Sequence, residues 1–230
     1  MNLNLDFPYL VDILPELLEF IPLTLFLAVL SMVFAIIGGL ILAVISRSNI
    51  PVLKQLAAVY ISFFRAIPTL VQLFLIYYGL PQIFPALSAM TAITAAILGL
   101  SLKQAAFLAE IFRAALNSVD KGQVEACLSV GMTKVQAFRR IVLPQATRNA
   151  IPATSNIFIG LIKETSLAFT LGVVELFAQG KIIAASSLKF FETYLALALL
   201  YWVLIILVTF VQRAIEKEWK NRIYHKGVVG

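Results

Sequence analysis

Pro22 to Ile45 reads PLTLFLAVLSMVFAIIGGLILAVI, an apolar run without a charged residue. A helix rises ~1.5 Å per residue, so about 20 such residues cross a hydrocarbon core of ~30 Å. The stretch therefore reads as a transmembrane helix. Pro22 suits its first turn, where a missing N–H costs nothing. Gly38 and Gly39 within it leave room for close approach of a neighbouring helix.

Four more segments outward from this one have the same character: Leu56 to Leu80, Thr91 to Leu116, Ala150 to Val174, and Tyr194 to Val211. The expected fold is all-α, a polytopic membrane helix bundle with about five transmembrane helices, forming a single domain over residues 1–230. Composition agrees. The chain is 61% hydrophobic and only 13% charged, with a mean hydropathy of +0.95, far from an ordinary soluble domain. Ahead of the first span, Leu10, Ile13, Leu17 and Phe20 recur at helical spacing. Phe7 to Phe20 is thus either an interfacial helix or a lead-in to the span.

The cations orient the bundle, because basic flanks stay on the cytoplasmic side. An external N-terminus places Arg47, Lys54, Lys121, Lys134, Arg139, Arg140, Arg148, Arg213, Lys217, Lys220, Arg222 and Lys226 inside and only Lys181 and Lys189 outside. An odd number of spans then brings the C-terminus, with its basic amphiphilic tail Arg213 to Lys226, to the cytoplasm. The first twenty residues hold Asp6, Asp12, Glu16 and Glu19 but no Lys or Arg, the reverse of a secretory signal, so they are expected to be retained. The net charge of +6 lies in short segments between apolar runs, without an aromatic-interleaved groove for nucleic acid. One cysteine and one histidine, Cys127 and His225, allow neither an internal disulfide nor a His/Cys metal cluster.

Between the third and fourth spans, about residues 118–148, lies a charged, glycine-punctuated loop. It contains Glu125-Ala126-Cys127-Leu128-Ser129-Val130-Gly131 and, after nine further residues, Ile141-Val142-Leu143-Pro144. The expected form is a short helix, a glycine turn, and a second helical piece ending before the proline. Such a loop outside the bilayer is a handle for another protein; a plain connection between spans is the alternative.

This stretch resembles the cytoplasmic coupling loop of ABC importer permeases, Glu-Ala-Ala, three residues, Gly, nine residues, Ile-x-Leu-Pro, with Cys127 replacing one small residue. Further similarity to the polar amino-acid permeases, a group serving histidine, glutamine, arginine and cystine, lies in Phe64-Arg65-Ala66-Ile67-Pro68-Thr69-Leu70, Ala109-Glu110-Ile111-Phe112-Arg113, Lys121-Gly122-Gln123 and Lys163-Glu164-Thr165-Ser166-Leu167. The resemblance implies a permease subunit of a type I, binding-protein-dependent importer in the bacterial inner membrane. It would work with ATP-binding subunits that hold ATP-Mg, an extracellular or periplasmic amino-acid-binding protein, and a second permease subunit, identical or not. Glu125, Ala126 and Gly131 would sit in a groove of the ATPase: Ala126 allows close approach, Gly131 permits the turn, and Glu125 meets a basic partner or caps a helix start. The Lys163 to Leu167 neighbourhood leans the substrate toward cystine.

The chain has no Gly-x-x-x-x-Gly-Lys-Ser/Thr phosphate loop, no Gly-x-Ser-x-Gly elbow and no His-Glu-x-x-His pair. It is therefore expected to be no enzyme by itself and to hold no cofactor; ATP hydrolysis falls to the partner. Charges within spans are expensive and turn toward protein or water. Lys103, Lys163 and Glu164 are such charges, and Asn156 shares a helical face with Lys163 that Gly160 leaves uncrowded. These four residues are the substrate-path candidates; the competing role is an ion pair with a neighbouring span or subunit for Lys163 and Glu164, and snorkelling or pairing within the bundle for Lys103. Glu110 and Arg113 fit a local helical pair, and Arg65, placed at the inner start of the second span, is either a gate or an inside anchor. An ATP-independent channel or secondary carrier is the other functional reading; a carrier often shows duplicated halves and helices broken near the midplane, neither is evident in the sequence, and the loop would be left unexplained. A membrane enzyme finds no catalytic constellation.

Overall fold

The computed structural model describes residues 6–227, with side chains to residue 218. The side chains of Lys220, Arg222, His225 and Lys226 lie outside the described residues. The chain runs through α1 (Phe7–Asp12), α2 (Leu14–Leu18), α3 (Ile21–Ser46), α4 (Pro51–Ala66), α5 (Thr69–Phe74), α6 (Leu80–Ile83), α7 (Ala92–Asn117), α8 (Lys121–Ser129), α9 (Lys134–Ala137), α10 (Leu143–Glu164), α11 (Leu176–Ser187) and α12 (Phe190–Gly227). No strand occurs among the described residues. Helices α3 and α7 and residues Phe190–Glu218 of α12 are each long and apolar enough to cross a membrane; counting each bent helix pair as one span gives up to five.

The second and fourth spans depart from the straight helices expected. The second is bent by 113° between α4 and the segment Thr69–Ile83. A residue before proline is driven out of the α region by the pyrrolidine ring, and Ile67, ahead of Pro68, is extended at ψ 145°. Arg65 therefore lies at a break within the span and not at its start. The fourth span begins earlier than expected, in α10, passes into a 3-10 turn over Thr165–Leu171, and bends by 55° before α11. Gly172 turns the chain there in the left-handed region at φ 91°. The fifth span is longer than expected at both ends.

Proline also explains two π-helical turns. A helical proline lacks an N–H and its ring crowds the carbonyl four residues back. For Pro81 and Pro144 those carbonyls belong to Tyr77 and Arg140, and the chain widens there to Leu75–Gly79 and Phe138–Val142. The segment after the loop's glycine turn consequently continues through Pro144 into α10, where the sequence suggested an end.

Helix α7 is the axis of the bundle, with Leu100, Ala106 and Leu108 fully buried. In a membrane, association rests on close packing more than on expulsion of water. At the α3–α7 crossing, a Cβ placed on Gly39 would lie 2.8 Å from Leu108 Cβ and 3.3 Å from the backbone of Ala105 and Ala109. Backbone cannot yield there. Gly39→Ala is expected to cost about 1–3 kcal/mol, read as a lower thermal midpoint in detergent, whereas Gly160→Ala, with open space around it, should be tolerated. Equal midpoints for the two variants would contradict this packing.

Residues 7–18 fold as two short helices, α1 and α2, whose Leu10, Ile13 and Leu17 pack on Leu176, Ile183, Ala196 and Leu197 of α11 and α12. A clasp fastens them: Lys189 Nζ donates to Asp6 Oδ2 at 2.7 Å and stands 4.1 Å from the centre of the Tyr9 ring. The hydrogen bond from Lys189 holds the Asp6 carboxyl below its ordinary value of 3.8 and in turn raises Lys189 above 10.5. Asp6's contribution is thus complete above the ordinary carboxylate value and lost as pH falls through its depressed one; Lys189's is complete below 10.5 and lost above its raised value. Proteolysis of the N-terminal segment should therefore accelerate on acidification through the carboxylate range. Lys189→Met should show faster cleavage above that range and a smaller acid dependence, since the bond from the Tyr9 N–H to Asp6 remains. An undiminished acid dependence in the variant would count against the clasp.

Candidate functional site

Two regions carry polar chemistry, an arm at one end of the bundle and a charged network within it. The arm begins at α8, where Asp120 caps the helix by accepting from the Gly122 N–H at 2.6 Å. Glu125 lies beyond the first turn and is exposed, so the capping role considered for it belongs to Asp120. The helix ends with paired backbone bonds from Met132 N to Cys127 O and Gly131 N to Leu128 O, each 3.0 Å. That closure needs a residue in the left-handed region, supplied by Gly131 at φ 82°. Two residues on, Thr133 and Gln136 form a reciprocal capping box that starts α9. The elbow between the helices is thus fixed at both sides.

The arm presents apolar side chains to its surroundings. Val130 is 77% exposed and Val135 61% exposed. Cys127 and Ala137 are buried. Glu125 and Ala126 are both exposed, so the residues singled out for docking lie on an accessible surface.

Within the bundle, Lys103 Nζ donates to Glu164 Oε1 at 3.2 Å and to Thr69 Oγ1. Gln104 Nε2 donates to the second Glu164 oxygen at 3.0 Å. This network joins α7, α10 and the first residue after the Pro68 break. Gln72, one turn further, donates from Nε2 to the Gly99 carbonyl at 2.5 Å. Along the same side of α7, Phe107 stacks beneath Arg65 at 5.4 Å, and Glu110 binds Arg113 at 2.7 Å and Arg65 at 4.0 Å. The expected local pair Glu110–Arg113 is present and extends to α4.

Lys163 and Glu164 diverge despite being neighbours: Glu164 turns into the bundle toward Lys103, while Lys163 is exposed. Asn156 is exposed too, and no atom lies within 4 Å of the position a Gly160 Cβ would take. Asn156, Gly160 and Lys163 therefore form an open polar face on α10, backed by the Lys103–Glu164 pair.

The roles of Thr69, Gln72 and Gln104 in this network were not legible in the sequence, because single uncharged polar residues barely alter the hydropathy of a span. Nor was the role of Glu175, which is fully buried. Glu175 caps α11 through the Ala178 N–H at 2.9 Å and accepts from Thr24 and Tyr201, each at 3.3 Å.

Residues 35–221 match the family described as "Binding-protein-dependent transport system inner membrane component". The chain is 68% identical over 222 residues to the probable amino-acid permease protein YxeN of Bacillus subtilis, covering 95% of this chain and 99% of that one. It is 42% identical to the L-cystine transport system permease protein TcyL of the same organism, over 96% of this chain and 94% of that one. A crystal structure of an amino acid ABC transporter with histidines superposes with a TM-score of 0.85 at 34% identity, covering 94% of this chain and all of the other.

Proposed function

The chain belongs to the family of inner membrane components of binding-protein-dependent transport systems and is an amino-acid ABC transporter permease subunit; on that premise we propose that it imports cystine or a close relative by alternating access. The arm is the observation that carries this reading. A stiff elbow with exposed Glu125, Ala126, Val130 and Val135 suits docking into a separate ATPase subunit, which would bind ATP-Mg. The same arm gives no support to an ATP-independent channel or carrier.

In this mechanism a solute-binding protein delivers the amino acid at the external face, where the N-terminus is assigned. Closure of the ATPases draws the arms of two permease subunits together and opens the path outward; hydrolysis resets it inward. The C-terminus and arm lie on the cytoplasmic side. The open face of Asn156, Gly160 and Lys163 forms one wall of the path at or near the subunit interface. Its ammonium suits the substrate carboxylate, and the Lys103–Glu164 pair positions α10 behind it. Arg65, Glu110 and Arg113 gate the break or brace it. The likeness to the cystine permease supports the substrate preference.

Vesicles containing this chain with its ATPase and binding protein, supplied with labelled cystine, glutamine or arginine, test the reading. ATP-dependent uptake of cystine above the other two is expected. Preferential uptake of glutamine or arginine would correct the substrate, and uptake persisting without ATP would overturn the importer mechanism.

A further inference from the structure

A cleft of about 890 Å³ opens between α3, α7 and α10, with Phe138 of the π-helical turn on its rim. That volume lies within the ~300–1,000 Å³ of ligand pockets. Leu40, Val44, Phe112, Leu116 and Ile151 make its walls apolar. Leu40 and Val44 are 50% and 71% exposed on a span helix, so the chain itself leaves this side of the cleft uncovered.

The mouth has a different character. Arg47 is the one charged residue among those lining the cleft, and its Nη1 donates to Asn117 Oδ1 at 2.9 Å, which steadies the guanidinium. Beside it, Ser48 Oγ is buried with no hydrogen-bond partner, and Thr154 Oγ1 in the α10 wall is in the same condition. Arg139 and Arg140 follow Phe138 on the exposed turn. An apolar body with a cationic mouth is complementary to an amphiphile carrying an anionic head.

We propose that this cleft binds an anionic phospholipid, its acyl chains on the apolar walls and its phosphate against Arg47. Basic pockets between membrane helices take anionic headgroups in this way. A free amino acid fits poorly, because no carboxylate lines the cleft to receive its ammonium. An apolar helix from a second copy would bring no anion to Arg47, whose hydrogen bond is to the neutral Asn117 amide. Because Phe138 belongs to the turn that joins the arm to α10, the bound lipid would touch the segment through which the arm moves.

The site requires only that the chain lie in a membrane, so its test is independent of the transported solute. The assembled permease–ATPase complex, delipidated in detergent, is titrated with phosphatidylglycerol or phosphatidylcholine while native mass spectrometry counts bound lipids. One phosphatidylglycerol per permease copy is expected, bound more tightly than phosphatidylcholine. Arg47→Gln should weaken phosphatidylglycerol about five-fold, the effect of one basic residue near an anionic headgroup, and leave phosphatidylcholine unchanged. Val44→Trp, at an exposed position that folding tolerates, should block both lipids. Equal affinity for the two lipids, or phosphatidylglycerol binding unaltered in both variants, would overturn the proposal. So would efficient cross-linking of Val44→Cys to a second permease copy, which would put protein where the lipid is assigned.

Discussion

Gly131→Pro is expected to leave the chain inserted in the membrane and to lower ATP-driven uptake at least about ten-fold. Gly131 sits at φ 82°, and proline is confined near −65°. Proline also removes the N–H that binds Leu128 O and closes α8. Forcing another conformation on this turn misdirects α9 relative to α8, so the two halves of the arm no longer meet one partner surface together. Strain at such a position is ~1–3 kcal/mol, and a barrier increase of 1.36 kcal/mol is one decade in rate. Nothing lies within 4 Å of an added Cβ, so bulk is not the obstacle. Gly131→Asn, which enters the left-handed region more readily than other residues, should retain most activity. Normal uptake by the proline variant would remove the arm from the mechanism.

The second large effect is expected from separating Lys103 and Glu164. Lys103 is only 13% exposed and Glu164 30% exposed in their side chains, so removing either leaves a poorly hydrated charge. Breaking a buried pair costs about 3–5 kcal/mol, and partial exposure of Glu164 discounts that to about 2–3 kcal/mol here. Lys103→Met and Glu164→Gln should each lower the thermal midpoint of the detergent-solubilised complex. The double variant should be less unstable than the two single losses added together, because it removes both charges, and a coupling of about 1–2 kcal/mol is expected. Strict additivity would show that the two groups do not act on each other. Lys163→Ala offers the contrast: exposed on α10, it should leave the midpoint unchanged while altering uptake.

Fold class was legible because hydropathy alone demands spans, and the straight helices α3 and α7 fall within a residue of the positions that composition suggested. The breaks were not, because a hydropathy window passes over them. Pro68 was visible and its effect on Ile67 follows from sterics, yet the apolar residues on either side form one continuous run. Gly172 gave a fainter signal, since many glycines in membrane helices serve packing, as Gly39 does. Pro144 looked like a helix end; the π-helical turn absorbed its missing hydrogen bond and let the helix continue. Glu164 and Lys103 could be recognised singly as costly charges, but their partnership spans 61 residues and depends on which faces of α7 and α10 meet. Glu175 looked like a loop residue between spans, and only the packing of Thr24 and Tyr201 around it reveals a buried cap.

The most direct measurement is disulfide cross-linking from the arm to the ATPase in the assembled, transport-competent complex. Cys127 is the only cysteine and is buried; Cys127→Ala clears the background with a residue that the loop pattern itself uses. Val135→Cys, at a site 61% exposed in this chain, is then paired with cysteines placed across the ATPase surface. Cross-linking to one groove of the ATPase, with loss of ATP-driven uptake when the bond forms and recovery on reduction, is the predicted result. ATP-driven uptake that continues with no arm position cross-linking to the ATPase would contradict the account.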